Sequence, residues 1–370
     1  MPVDLDTLSS FDRALWTAAN AGAAPRSLRD TVMDTFSGER QNQLTVWTVI
    51  AEQTDPVERL ARLAGESVAL YRRLGPVGLV LVDARSGPFV VSVWPTAENG
   101  IFHLIGTVPV TDDRWRRVER WVGNAAPGVV PFVLNEADFD SMGASLAEHG
   151  RVEVSRLAAR VLSDGSSYTR GWRESRRRSR PTYRQAVGEV EGLASIRTLT
   201  LHVADALSLH LRRQAGATYY GGSFRLFEDV VLLALVTSAG RRRRLLSNRA
   251  RQSSGVAESA IGVKLPAGMF ADPDHIAQLL DTLSEQRGTG IAVLHRNPYL
   301  HVAVTDYLDG SNFDAFVTSD DEVVIYPGYR ASVGALTRLT EHLAERFAAR
   351  EVVDVPASVP PTTEELFTTG

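Results

Sequence analysis

The chain contains no cysteine and only one lysine among its 370 residues. Without cysteine it cannot form disulfides, thiolate zinc sites or iron–sulfur clusters, and it has no thiol nucleophile. The single lysine, Lys264, lies in IGVKLPAG and does not follow the glycine-rich loop that cradles phosphates in P-loop proteins. The sequence therefore excludes thiol chemistry and argues against nucleotide hydrolysis of the P-loop type.

Long apolar runs are also missing. The most apolar stretch, Val230–Val236, is much shorter than the roughly 20 residues that a membrane-spanning helix needs. Residues 1–16 include several acidic residues and lack the apolar run and small-residue cleavage site of a signal peptide. We expect a soluble protein of the cytoplasm that does not bind membranes.

All basic residues except Lys264 are arginine, while the formal net charge is −4. Such a preference for arginine is typical of GC-rich, bacterial genomes, so the number of arginines does not by itself indicate phosphate binding. The net charge argues against a molecule coated in positive charge. Any contact with nucleic acid must therefore come from local clusters of arginine.

The pattern of apolar residues predicts helices and β-hairpins along the whole chain. Helices are predicted over most of 5–74 and over 111–123, 139–150, 191–216, 223–239, 274–286 and 332–347. Strands are predicted within 77–95, 152–172 and 290–328. Because consecutive strands are joined by short turns, we expect antiparallel pairing. The predicted fold class is α+β with two lobes, each a mainly antiparallel sheet backed by helices.

The composition predicts two domains, 1–170 and 188–350, with an arginine-rich linker at 171–187. A proline- and threonine-rich tail at 351–370 is predicted to be disordered. In each half a helix leads into a hairpin with an Asp-Gly-Ser turn. A distant internal duplication would give this repetition, and so would ordinary hairpin chemistry, since Asp-Gly is a common turn sequence.

The first candidate contact surface lies in GWRESRRRSRPTYRQ. Its guanidinium groups would meet phosphates or carboxylates, and its aromatic side chains would stack on bases. The residues of this candidate site are Trp172, Arg173, Arg176, Arg177, Arg178, Arg180 and Tyr183. A solvated connector between domains is the alternative interpretation, which Pro181 and the absence of periodicity favour.

A second candidate surface, Arg241, Arg242, Arg243 and Arg244, follows the expected buried helix. Positive charge near a helix C-terminus is stabilising by about 0.3–1 kcal/mol per group, which explains one or two of these residues. Four consecutive arginines repel one another unless an anion or carboxylates face them. We therefore predict a second anion-binding segment here.

The predicted C-terminal meander contains most of the groups suited to enzymatic chemistry. His295, His301 and Asp306 would bind a divalent metal if strand pairing brings them together. The turn-like sequences around them favour loop tips instead. His202 and His210 are expected on a polar stripe of the predicted helix 191–216. The motifs HExxH, GxSxG and GxGxxG are absent, and we assign no catalytic residue and no cofactor.

The sequence favours a non-enzymatic adaptor or regulatory protein whose arginine clusters bind an anionic partner, either nucleic acid or an acidic protein surface. Two alternatives stay open. One is a metal-dependent hydrolase or transferase that uses the histidines and aspartates of the C-terminal sheet. The other is a chaperone-like scaffold that binds another protein and needs no affinity for polyanions.

Overall fold

The chain folds as two compact units, residues 1–240 and residues 241–370. The computed structural model describes residues 5–36, 43–52, 56–64, 69–82, 86–161, 165–173, 179–190, 194–214, 216–248, 260–297, 299–328 and 330–355. Each unit contains a sheet of antiparallel strands and helices that back it, which confirms the predicted α+β fold with two lobes. Within these described residues, no helix is both long and apolar enough to cross a membrane.

The first unit alternates helices and strands. Its helices are α1 (Ser10–Asn20), α2 (Leu28–Phe36), α3 (Pro56–Ala64), α4 (Asp113–Ala125), α5 (Glu136–Ala147), α6 (Tyr183–Gly188) and α7 (Phe224–Leu226), after a 3₁₀ turn at Leu5–Thr7. A π-helical turn, Phe227–Leu232, joins α7 to α8 (Leu233–Ser247), within which the unit boundary falls. Its strands are β1 (Leu44–Ala51), β2 (Ala69–Leu74), β3 (Val77–Val82), β4 (Phe89–Pro95), β5 (Ile101–Gly106), β6 (Val129–Pro131), β7 (Val152–Val161), β8 (Ser167–Gly171), β9 (Ala194–Val203), β10 (Leu207–Arg212) and β11 (Gly216–Gly222).

These eleven strands form one sheet in the order β2-β3-β4-β5-β1-β11-β10-β9-β7-β8, with β6 paired to β1. The central strand β1 is buried at every residue. Helix α4 begins where the Asp112 side chain accepts the Arg114 N–H, and it buries Trp115 and Val118. Gly106 makes room for this packing, because a Cβ there would lie 3.0 Å from the Trp115 ring.

The predicted helix 191–216 is wrong, because β9 and β10 form a hairpin there. Leu199, Leu201 and Val203 are buried, whereas the residues between them are only half-buried. This period of two is that of a strand with one covered face. The predicted linker at 171–187 also lies inside the first unit, since the strands before and after it belong to the same sheet.

The mostly helical prediction for residues 5–74 is correct for three helices and wrong for two segments. Pro56 is the first residue of α3, and residues 53–55 lie outside the described residues. Residues Leu44–Ala51 and Ala69–Leu74 are instead strands. The first of these, LTVWTVIA, is rich in apolar and β-branched residues and contains no charged residue, which suits a strand covered on both faces.

The second unit contains β12 (Ala260–Lys264), α9 (Pro273–Glu285), β13 (Thr289–His295), β14 (Leu300–Asp306), β15 (Ser311–Ser319), β16 (Glu322–Pro327), α10 (Val333–Arg346) and β17 (Glu351–Val355), with a 3₁₀ turn at Met269–Ala271. Its sheet order is β13-β14-β15-β16-β12-β17, which confirms the predicted meander. Residues 351–355, predicted to be disordered, are a strand that pairs with β12. The rest of the predicted tail lies outside the described residues.

Candidate anion-binding site

The first arginine-rich segment is only partly described. Arg176, Arg177 and Arg178 lie outside the described residues. Tyr183 is buried, its hydroxyl donates to Asp140 Oδ1 at 3.0 Å, and a Cβ on Gly143 would lie 2.7 Å from its ring. Since this ring is enclosed by the first unit itself, the prediction that it stacks on bases is corrected.

The remaining described residues of this segment differ in exposure. Trp172 is half-buried against the core, with the Arg170 guanidinium carbon 5.3 Å from its ring centre. Arg180 is half-buried and its carbonyl accepts a hydrogen bond from Arg151 Nη2 at 3.4 Å. Arg173 is exposed. Among the predicted residues that are described here, Arg173 presents its side chain most openly to solvent.

The second arginine run lies on α8, where consecutive side chains point about 100° apart. The four guanidinium groups therefore leave the helix in different directions and cannot face one anion. Arg242 is 5% exposed, and its Nη1 lies 2.8 Å from each carboxylate oxygen of Glu341. It is an internal ion pair rather than a free contact group. Arg243 is half-buried, and Arg241 and Arg244, three residues apart, share the exposed side.

The candidate metal ligands are not brought together. His295 and His301 are neighbours in the register of β13 and β14, but Asp306 lies five residues further along β14, about 17 Å away at strand spacing. Asp306 is buried and ion-paired with Arg338. His301 bonds Asp314 at 2.8 Å and stacks on Phe316. The described residues contain no group of three His, Asp or Glu residues that could hold a metal.

A different cluster of polar side chains lies on one face of the large sheet, and the sequence analysis missed it. On β10 the residues Ser208, His210 and Arg212 alternate with buried leucines. On β9 the residues Thr198, Thr200 and His202 alternate in the same way and pair with them. Paired residues of antiparallel strands face the same side, so these side chains form one polar face.

Arg212 is a largely buried charge on this polar face, and its partners are few. Its side chain is 14% exposed, and its nearest carboxylate, Glu119 on α4, lies 3.7 Å from Nη1. The Nε and Nη2 atoms are buried and have no hydrogen-bond partner in the described structure. Burial lowers the pKa of Arg212 and raises the pKa of Glu119, so the attraction between the two does not compensate for their loss of solvent.

Gly216 gives Arg212 its position. These two residues are paired across β10 and β11, and a Cβ on Gly216 would lie 2.6 Å from Arg212 Nη2. The guanidinium therefore lies flat over the glycine. Any larger residue at 216 would push it away from the sheet.

Arg156 adds a second guanidinium to the same face. It pairs with Thr200 of β9 and is exposed, and its side chain has no hydrogen-bond or ion-pair partner within the described residues. On its other side Arg156 pairs with Gly171, two residues before Arg173. The start of the predicted arginine-rich segment therefore lies beside this cluster.

His210 and Tyr220 lie beside both arginines. Burial, together with the positive charges of Arg212 and Arg156, lowers the pKa of His210 to about 4. The His210 ring is therefore neutral at pH 7, with Nδ1 2.9 Å from Thr200 Oγ1. Burial raises the pKa of Tyr220, while the same two arginines oppose this. Neutral hydrogen-bonding groups thus flank two cations.

This arrangement suits the binding of a compact anion. Two guanidinium groups supply charge and N–H donors in the geometry that carboxylates and phosphates accept, and a hydroxyl and an imidazole lie beside them. Comparison with protein-family models and with curated proteins gave no match to this chain.

Proposed function

We propose that this protein is a non-enzymatic adaptor or regulatory protein that binds an acidic segment of a partner protein on the polar face of its large sheet. The observation that carries the proposal is the desolvated Arg212 guanidinium, whose Nε and Nη2 have no described partner. Beside it, Arg156 is exposed and unpaired among the described residues. A carboxylate that reaches both groups would supply the missing acceptors.

An acidic protein segment fits this face better than a nucleic acid. Two carboxylates, Glu119 and Glu153, lie beside the cluster, because Glu119 approaches Arg212 and Glu153 pairs with His202. A phosphate backbone carries a charge at every step and would meet these carboxylates as well as the arginines. A protein segment can instead place one or two carboxylates at the arginines and neutral residues elsewhere.

The cytoplasm is the proposed location, and it rests on the sequence analysis alone. Of the two alternatives from the sequence, the metal-dependent enzyme has no candidate ligand set within the described residues. Protein binding that does not depend on charge is compatible with the fold.

The proposal is tested with a fluorescein-labelled peptide of alternating glutamate and alanine and, in parallel, with an oligothymidylate of equal charge. We expect the peptide to bind and its affinity to fall as salt rises from about 50 to about 300 mM, because surface charges are screened. Arg156→Ser and Arg212→Ser should each weaken binding by about tenfold, the effect expected for one charge-assisted contact.

Arg62→Ser is the matched control, because it removes the same charge from an exposed residue of α3 in the same unit. Gly216→Ala is a second variant, since it displaces the Arg212 guanidinium and keeps the charge. Equal weakening in Arg62→Ser would reduce the effect to net charge and refute the site. Tighter binding of the oligothymidylate, lost in the Arg156 and Arg212 variants, would replace the acidic protein with a nucleic acid.

A further inference from the structure

The edge strands of the two sheets differ in how they are protected. An exposed edge with unpaired backbone groups readily pairs with another chain, and charged residues on the edge prevent this. Of the four strands that end the two sheet orders within the described residues, three carry arginine, aspartate or glutamate: Arg72 and Arg73 in β2, Arg170 in β8, and Glu351 and Asp354 in β17. The fourth, β13, reads TGIAVLH and has none of these residues.

Backbone groups of β13 point to its open side. Tyr307 N–H donates to Gly288 O at 2.7 Å, and the register between β13 and β14 is regular from Thr289 to Val293. Because hydrogen-bonded pairs alternate along antiparallel strands, Gly290 and Ala292 bond to β14, while Ile291 and Val293 direct their N–H and C=O outward. No described residue accepts from or donates to these outward groups.

An apolar groove runs along the same edge. It has a volume of about 420 Å³ and lies between α9 and β13. Helix α9 buries Leu279 and Leu283 in the core of the second unit, and turns a second apolar stripe toward the groove. The apolar side chains that line the groove are Pro273, Ile276, Ala277, Leu280, Ile291 and Val293, and Asp281, Ser284 and Arg296 line it as well.

Charge at the ends of β13 selects the partner. Arg287 precedes the strand and Arg296 follows it, and both are exposed. The strand itself therefore carries no Asp, Glu, Lys or Arg, and an arginine stands at each of its ends, while Asp281 of α9 lines the groove beside it. A complementary segment has small or apolar residues in the middle and a carboxylate near each end.

We infer that β13 accepts an extended segment of another protein as an added strand. The segment's backbone pairs with Ile291 and Val293, its alternate side chains enter the groove beside α9, and its terminal carboxylates meet Arg287 and Arg296. A second copy of this chain does not meet these requirements. Antiparallel pairing of two β13 strands would bring Arg287 of one copy beside Arg296 of the other, and like charges opposite each other are destabilising.

This inference is independent of the proposed function, which concerns Arg156 and Arg212 in the first unit. It is tested on the full chain with the fluorescein-labelled peptide Asp-Thr-Val-Thr-Val-Thr-Val-Asp. We expect binding in the range of about 1 to about 100 µM, typical of weak peptide docking. Amide hydrogen exchange should slow at Ile291 and Val293 when the peptide binds, and should not change at Ala292, which already bonds to β14.

Two variants and one control separate strand addition from general adhesion. Val293→Pro removes one outward N–H and spares the pairing with β14, so it should weaken binding by about tenfold without lowering the melting temperature. Arg296→Glu should also weaken peptide binding, because it places a negative charge opposite a terminal carboxylate of the peptide. Leu294→Ser is the control, because Leu294 is 57% exposed and does not line the groove, and its affinity should stay unchanged.

Three results would overturn the inference. One is the absence of binding at about 1 mM peptide, well above the expected range. Another is equal binding of the same peptide with lysine in place of each aspartate, which would remove the charge argument. The third is a concentration-dependent dimer, detected by analytical ultracentrifugation, that Val293→Pro dissociates, because the edge would then belong to a second copy. The proposed site at Arg156 and Arg212 would stand in each case.

Discussion

Arg212 and Arg213 are consecutive residues with opposite environments. Arg213 Nε donates to Ile196 O at 2.6 Å, its Nη1 donates to Leu134 O at 3.1 Å, and its Nη2 pairs with Glu136. Arg212, on the other face of the sheet, has one carboxylate at 3.7 Å and two N–H-bearing atoms without a described partner. Both side chains are largely removed from solvent, so the difference lies in the acceptors and not in burial.

The same contrast separates two other buried charges. In the Arg242–Glu341 pair, both carboxylate oxygens of Glu341 accept from Arg242 Nη1. Asp12 is 2% exposed, and its Oδ2 accepts from Thr107 Oγ1 at 3.0 Å while its Oδ1 has no described partner. When a buried charge has a complete set of partners, removing one partner is strongly destabilising because the other charge is left without compensation. A charge with an incomplete set is where a ligand or a proton can still bind.

The largest expected effect is the loss of stability when one member of the Arg242–Glu341 ion pair is replaced. Glu341→Gln leaves the Arg242 charge buried without compensation and should lower the free energy of unfolding of the second unit by about 3–5 kcal/mol. All six tryptophans lie between residues 16 and 172, so far-UV circular dichroism in urea is the suitable measurement. Arg241→Met, at the exposed neighbour, is the control and should change stability by less than about 0.5 kcal/mol.

A double variant tests whether the pair itself is needed. Arg242→Met combined with Glu341→Leu replaces two charges by apolar groups of similar length and should recover most of the lost stability. If Glu341→Gln lowers the free energy of unfolding no more than Arg241→Met does, the ion pair is not structural. The contrast between buried charges with complete and with incomplete sets of partners would then be refuted.

The second effect concerns the proton on Asp12. Burial raises the pKa of this carboxyl to about 7, against an ordinary value of 3.8. The folded state therefore binds more protons than the unfolded state between about pH 4 and about pH 7, and stability falls as pH rises through this window. The fall should amount to about 2–4 kcal/mol and should end near pH 8.

Asp12→Asn isolates this contribution, because asparagine stays neutral. The free energy of unfolding, measured by tryptophan fluorescence in urea from about pH 5 to about pH 8, should fall with pH in the wild type more steeply than in the variant. Asp113→Asn is the control, because it removes an exposed carboxylate. The slope of its free energy of unfolding against pH should equal that of the wild type. Equal slopes in wild type and Asp12→Asn would mean that the buried carboxyl does not carry the proton.

Local sequence signals were sufficient for much of the fold. The predicted helices 111–123 and 223–239 begin next to the capping side chains of Asp112 and Ser223, which lie within a few positions of the N–H groups that they accept. The hairpin at 194–212 was missed because leucine, alanine and arginine favour helices. The alternation of buried residues at 207, 209 and 211 was the signal for a strand.

The site depends on pairing between distant segments and could not be read from clusters in the sequence. Arg156 reaches the site because β7 pairs with β9, and Arg212 because β10 pairs with β9. No run of arginines marks either residue. The conspicuous run at 241–244 lies on a helix, whose geometry separates the side chains and turns Arg242 inward. Recognition of 194–212 as a hairpin would have placed His210 and Arg212 on one face.

The smallest expected effect is on stability at the candidate site, and it distinguishes the two consecutive arginines. Arg212→Met removes a desolvated charge that gains little from its partners, so the free energy of unfolding should change by less than about 1 kcal/mol. Arg213→Met strips partners from two carbonyls and Glu136, and should cost about 2–4 kcal/mol. Tryptophan fluorescence in urea measures both. If Arg212→Met costs as much as Arg213→Met, then Arg212 is a structural residue, and its incomplete hydrogen bonding no longer points to a ligand.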